Sequence, residues 1–283
     1  MNNQHLVSIR KKTLLLFALF SLVFLFGCVS HLREAKHYYA QGQKFSRSYR
    51  QREAVSHFKR ALKEARLETE RNPSSQAFML KGLAELELEL WEQAEESFLE
   101  SFAYGFEGGQ KWAQELSLLG LALSLEKLGL EDSAFHIYSH LVKRSKLKQI
   151  LLVASQKFTE ISLEKAVDKE AKQREKSLTR LLKEVEKLAE KDLSCGFYHY
   201  LLSQIHSHLS SYKQSFEQAV MARELGLPSQ EILRDNDLQI VFCYQRSKQS
   251  LSPEEWEKFN SVYRRWMKKW NWPGPEIPDW KKR

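Results

Sequence analysis

The sequence predicts an all-α protein, an α-solenoid of stacked helical hairpins with a C-terminal capping helix. Three observations carry that expectation. Breakers are scarce, with 11 Gly and 6 Pro in 283 residues, while Leu, Glu, Lys, Ala and Ser, mostly strong helix formers, dominate. A small–aromatic–small stripe at helical spacing recurs every 40 residues: Ala54/Phe58/Ala61, then Ala94/Phe98/Ser101, then Ala134/Tyr138/Leu141. Near the C-terminus, Trp256, Phe259, Tyr263, Trp266 and Trp270 mark one face of a single helix at steps of three and four, the spacing of an amphipathic helix seeking a surface to cover.

The chain begins with a segment outside this scheme. Arg10, Lys11 and Lys12 precede an almost unbroken apolar run, Thr13–Phe26. A charged start followed by an apolar stretch too short to span a bilayer comfortably is the build of a secretory signal. The run ends in "LFGC", which resembles the lipobox of bacterial lipoproteins. The resemblance implies a signal peptide over residues 1–27, a lipidated, palmitate-bearing Cys28, and a short tether over 28–34. It implies an exported chain anchored in the outer membrane and facing the periplasm, because Val29 rather than Asp follows the Cys. The alternative is an uncleaved signal anchor in the inner membrane.

Charge is unevenly distributed. The whole chain carries +8, but residues 28–63 hold nine Lys or Arg against Glu34 and Glu53, and residues 264–283 hold seven against Glu276 and Asp279. The segment between them is therefore net acidic. Basic ends suit anionic surfaces. For an exported chain the anion is membrane phosphate rather than nucleic acid, and no nucleic-acid partner is expected.

Each stripe has a leading helix before it. Tyr38, Gly42 and Phe45 precede the first stripe, Phe78 and Gly82 the second, and Leu118, Ala122 and Leu125 the third, with a turn at Gly129. Small residues on both helices let the backbones approach closely, and the aromatic fills the gap toward the next hairpin. One such hairpin cannot bury its own apolar side, so each becomes the floor of the next. This pattern resembles the tetratricopeptide repeat (TPR), most closely in "LGLEDSAFHIY" from Leu128 and "WEQAEESF" from Trp91. The period of 40 exceeds the family's 34 and is near that of HEAT-type arrays. Longer helices and loops such as "LETERNPSSQ" account for the excess. The resemblance implies a TPR-like superhelix over residues 35–228.

The series weakens and returns. Residues 148–191 lack the stripe but still read as two helices, the second with Leu178, Leu181, Val185 and Leu188 on one side. Ser203, Tyr212, Ser215, Ala219 and Ala222 restore the pattern, closed by Gly226 and Pro228. That makes about five hairpins, one of them degenerate. Residues 229–272 follow as cap helices. "SPEEW" starts the last one, with Ser252 as N-cap, Pro253 at the first helical position and Glu255 closing a capping box. The Trp-bearing side either caps the array or lies at a membrane interface. Residues 273–283 form a Trp and basic tail.

Motifs of catalysis are missing from the sequence. There is no HExxH, phosphate loop, nucleophile elbow or Cys–His pair. His136 and His140 have metal-ligand spacing without a third ligand nearby, so no metal, cofactor or catalytic residue is expected. Cys195 and Cys243 are the thiols besides Cys28, and sequence leaves their pairing open. Leading helices line the inner, concave surface of TPR arrays. The resemblance therefore implies a partner groove at Lys36, Tyr39, Gln43 and Arg47, at Gln76, Met79 and Leu83, and at Tyr200, Gln204 and His208. Glu85, Glu87, Glu89, Glu92, Glu95, Glu96 and Glu100 add an acidic run able to dock a basic segment. The expected function is a non-enzymatic scaffold or assembly factor that holds another envelope protein or peptide near the membrane. The alternative is an enzyme, or non-catalytic subunit, of cell-wall or envelope polymer metabolism whose solenoid holds substrate.

Overall fold

The computed structural model describes residues 30–248 and 251–273; Cys28 and the tail beyond Pro273, including Trp280, lie outside them. Twelve α-helices occur among these residues, with no strand. They are α1 (His31–Arg47), α2 (Gln51–Arg71), α3 (Ser75–Glu87), α4 (Trp91–Ala103), α5 (Lys111–Lys127), α6 (Glu131–Arg144), α7 (Lys148–Val167), α8 (Ala171–Lys191), α9 (Gly196–His208), α10 (Tyr212–Leu225), α11 (Gln230–Ser247) and α12 (Pro253–Trp270). The chain divides into two compact units, with the division inside α6, after Ile137.

In the first unit, α1 pairs with α2 and α3 with α4, while the leading helices α1, α3 and α5 also touch in sequence order. The stripes face inward as the spacing requires: Ala54, Phe58, Ala61, Ala94, Phe98 and Ser101 are all buried. The aromatics also fill a gap within their own hairpins. A methyl group added at Gly42 would lie 2.5 Å from the Phe58 ring, so Phe58 lies over the glycine of its own hairpin rather than reaching only the next. Phe98 does both. Its ring would meet a methyl group at Gly82 at 3.0 Å, and it presses on Gly120 of α5 more closely still. Gly120, not Leu118, is thus the contact residue of α5; Leu118 is only half-buried. A large flat ring between two helices needs a missing Cβ opposite it on each side.

The turns inside the hairpins repeat more faithfully than the sequence shows. Tyr49, Glu89 and Gly129 have φ of 57°, 59° and 78°, and Ser210 in the second unit has 58°. In each turn the next backbone N–H reaches back to close the helix end: Arg50 to Phe45 O, Leu90 to Glu85 O, Leu130 to Leu125 O and Ser211 to His206 O, at 2.8–3.0 Å. This left-handed C-terminal cap satisfies orphan carbonyls. Only Gly129 adopts it without penalty. Gly129→Ala is expected to lower stability by about 1–2 kcal/mol, although nothing lies within 4 Å of the added methyl. Chemical denaturation measures it, and an unchanged midpoint refutes the backbone argument.

In the second unit, α7 pairs with α8, α9 with α10, and α10 with α11, while α7, α9 and α11 touch as leading helices. Leu178, Leu181, Val185 and Leu188 are buried, so the degenerate region is a hairpin despite lacking the stripe. In α10 the buried aromatic is Phe216, one residue beyond Ser215, whereas Tyr212 is half-buried. Ser203 and Ser215 take the small positions, and the Ser215 hydroxyl donates to Ser203 O at 2.7 Å.

The end of the array is aromatic. Phe259 and Tyr263 of α12 lie 4.2 and 6.4 Å from Phe216, and Tyr263 stacks on Tyr244 of α11 at 3.7 Å. Trp266 is buried with them. The Trp-bearing side of α12 is therefore a cap packed on α10 and α11. Ser252 and Glu255 form the capping box, with Pro253 in the first turn. No helix among the described residues is long and apolar enough to cross a membrane.

Candidate functional site

The leading helices place the predicted groove residues, and the structure separates them into three kinds. In α1, Lys36, Tyr39, Gln43 and Arg47 follow one another at helical spacing. Lys36 Nζ donates to Gln76 Oε1 of α3 at 3.1 Å. Tyr39 Oη and Gln43 Nε2 both donate to Glu87 Oε1 at the end of α3, at 3.4 and 2.5 Å. Gln43 also reaches Tyr39 Oη at 3.2 Å. These side chains tie one leading helix to the next. Burial raises the carboxyl of Glu87, and the bonds from Tyr39 and Gln43 offset part of that rise. Burial and the Glu87 charge also hold the Tyr39 phenol well above its ordinary range. Arg47 is exposed at the end of the row.

Met79 is the correction. It is 2% exposed and belongs to the core. Helix α3 touches α1, α2, α4 and α5, which leaves little of its circumference free, and Leu83 is buried for the same reason. An inner helix in such a stack presents only its ends and one narrow row.

In the second unit the corresponding row is on α9. Tyr200 Oη donates to Asp235 Oδ2 of α11 at 3.2 Å. Burial, with Asp235, Glu160 of α7 and Glu231 of α11 nearby, pushes this phenol upward. Gln204 and His208 follow at one-turn intervals and are half-buried. Burial lowers the His208 imidazole and the Arg174 charge lowers it further, so the ring is neutral at pH 7. The same device thus appears in each unit: a tyrosine on one leading helix donates to a carboxylate on the next.

Glu87 and Asp235 escaped the sequence reading as groove residues. In the sequence Glu87 stands within the acidic run and Asp235 within the cap segment. Each lies on a leading helix, 48 and 35 residues beyond its tyrosine, and those offsets, near the repeat length, are the signal that was available. The acidic run itself is dispersed. Glu85 is fully buried; it accepts from Ser97 Oγ at 2.5 Å and faces Lys81 and Arg66 at 3.7 and 3.8 Å. Glu89, Glu92, Glu96 and Glu100 remain exposed.

The remaining candidates hold no chemistry together. His136 and His140 are exposed, and no group of three His, Cys, Asp or Glu converges among the described residues. Cys195 and Cys243 are both free and buried. The Cys243 thiol donates to Ser215 Oγ at 3.0 Å, and burial raises it to about 11, which keeps it protonated and unreactive.

No family model matches the chain, and no curated protein is significantly similar in sequence. Solved structures are similar in fold. The C-terminal part of a TPR repeat-containing protein from Cytophaga hutchinsonii matches at 14% identity and a TM-score of 0.56, over 82% of this chain and 77% of that one. YrrB, a TPR protein with an unusual peptide-binding site, matches at 15% identity and a TM-score of 0.41, over 71% of this chain and 90% of that one. The TPR2AB domain of yeast Sti1, in complex with pHSP90, matches at 13% identity and a TM-score of 0.29, over 81% and 96%. The fold of paired helices is TPR-like.

Proposed function

We propose that the chain is an exported, lipid-anchored scaffold that holds a segment of another envelope protein along its leading helices. One observation carries the reading. In both units the leading helices expose a half-buried row of phenol, amide and ionisable groups, already braced from helix to helix by Lys36–Gln76, Tyr39–Glu87 and Tyr200–Asp235. Side chains held in place before a partner arrives lose little entropy on binding it. Backbone amides of an extended segment find both donors and acceptors in such a row. The membrane setting rests on the sequence, in the run Thr13–Phe26 and the "LFGC" that ends at Cys28. An outer-membrane position facing the periplasm is part of the proposal, as is a binding role without catalysis.

Photo-crosslinkers placed at Gln204 and Arg47 in intact cells test it. The expected result is a discrete envelope-protein adduct from each position and none from Glu100, which is exposed on the trailing helix α4. Cys28→Ser is expected to lose both acylation and the adduct. The same adduct from Glu100 as from Gln204 refutes the groove, and an unchanged adduct from unacylated protein refutes the tether.

A further inference from the structure

Helix α8 has Glu170 at its N-cap and Lys191 in its last turn, as a helix dipole favours, but its first turns go against that rule. No acidic residue occupies its first turn, yet Lys172, Arg174 and Lys176 lie there or just beyond. Cations at that end oppose the helix dipole. Lys172, Lys176 and Arg180 also follow one another at steps of four, a like-charge spacing that weakens a helix. Breaches of this kind are expected where function demands them.

The opposite side explains how the helix survives. Leu178, Leu181, Val185 and Leu188 are buried and hold α8 on α7 and α9. The cations are left outside, along a shallow groove of 420 Å³ lined by Lys172, Lys176, Thr179, Arg180 and Lys183 with Glu175. Farther along, Lys187 pairs with Glu184 at 3.4 Å. No ion pair among the described residues engages Lys172, Lys176, Arg180 or Lys183. The outward side of a trailing helix has no fixed sign in this fold, because on α4 it carries Glu92, Glu96 and Glu100.

We infer that the outer face of α8 lies on an anionic lipid surface, with Lys172, Lys176, Arg180 and Lys183 meeting head-group phosphates. The face has no aromatic residue on which a base could stack. Leu178, Leu181 and Leu188 are turned inward and Leu182 is half-buried, so no large apolar side chain projects from the face and the contact is electrostatic. Lysines on long stems follow a laterally mobile array of phosphates without fixed geometry. This inference shares the membrane setting of the proposed function and is independent of its partner groove.

Lysine acylation read by mass spectrometry tests it. The full chain is anchored through its own N-terminal segment in phosphatidylcholine vesicles, with or without phosphatidylglycerol. Lys172, Lys176 and Lys183 are expected to react about threefold more slowly on the anionic vesicles, and to lose that protection at high salt, where the Debye length falls to about 3 Å. The variant Lys176→Glu/Arg180→Glu/Lys183→Glu, altered only at exposed positions, is expected to lose protection at Lys172 with its helix content unchanged. Protection of Lys59 and Lys63 on α2 without protection on α8 overturns this inference and leaves the membrane setting intact. Equal labelling on both vesicles at all five lysines removes α8 from the membrane. Protection by duplex DNA, but not by anionic vesicles, replaces lipid with nucleic acid and overturns it.

Discussion

Phe98→Ala is expected to lower stability by about 3–5 kcal/mol, the cost of emptying a large aromatic site that cannot collapse. The ring is fully buried between Gly82 of its own hairpin and Gly120 of the next. Neither glycine has a side chain to move into the void. The reverse change has the opposite cause. Gly120→Ala drives a methyl group into the Phe98 ring, and overpacking of this kind costs about 1–3 kcal/mol. The two changes are therefore coupled. In a Phe98→Ala background, Gly120→Ala is expected to cost almost nothing or to recover part of the loss, a coupling of about 0.5–3 kcal/mol. Denaturant titration of the two single variants and the double variant measures it. Additive losses would mean that ring and glycine are not in contact.

The second large effect is at Arg223, where the size depends on pH. Its guanidinium lies 2.9 Å from the Asp237 carboxylate and 3.9 Å from the centre of the Trp270 ring. Burial raises Asp237 to about 6 from an ordinary value of 3.8, despite Arg223 pulling it down. The folded chain thus holds a proton that the unfolded chain releases between those values. The contribution of this group to stability is therefore fully present below about pH 4 and is lost as pH rises through 6, by roughly 3 kcal/mol at about 1.4 per unit. Removing the arginine leaves a buried, unpaired carboxylate. Arg223→Ala is expected to cost about 3–5 kcal/mol near pH 8 and much less near pH 4, where Asp237 is already neutral. Only the lost contact with Trp270 remains there. Asp237→Asn is expected to flatten the pH dependence. Melting curves at both pH values decide the matter, and an equal loss at pH 4 and pH 8 would show that Arg223 acts by packing alone.

These two sites also show what was legible in the residues and what was not. Phe98 and Gly82 stood in the periodic pattern, because spacing of three and four along a helix puts small and large residues on one side whatever the rest of the chain does. Gly120 was harder to see, since α5 is apolar almost all round and its stripe has no polar background. Tyr49, Glu89 and Ser210 hide a repeated turn, because side chains that rarely adopt positive φ carry no glycine signal. Arg223 and Asp237 were unremarkable charges until α10, α11 and α12 came together around them.

The candidate groove divides in the same way. The TPR resemblance put Lys36, Tyr39 and Gln43 on one row, and Tyr200, Gln204 and His208 on another. It had no means of showing that Tyr39 and Gln43 would turn to Glu87, or that Tyr200 would turn to Asp235. The resemblance put Met79 in the groove as well, and it is nevertheless core.

From the residues alone follow an all-α chain of hairpins, a repeat of 40 and an aromatic stripe on the last helix, because each is legible in local spacing at 3.6 residues per turn. Tertiary structure decided which member of each row is covered, which carboxylate is buried, and that the cations of α8 face outward. Exposure is set by the neighbouring helix, which lies tens of residues away in the chain and leaves no trace in the spacing of any single one.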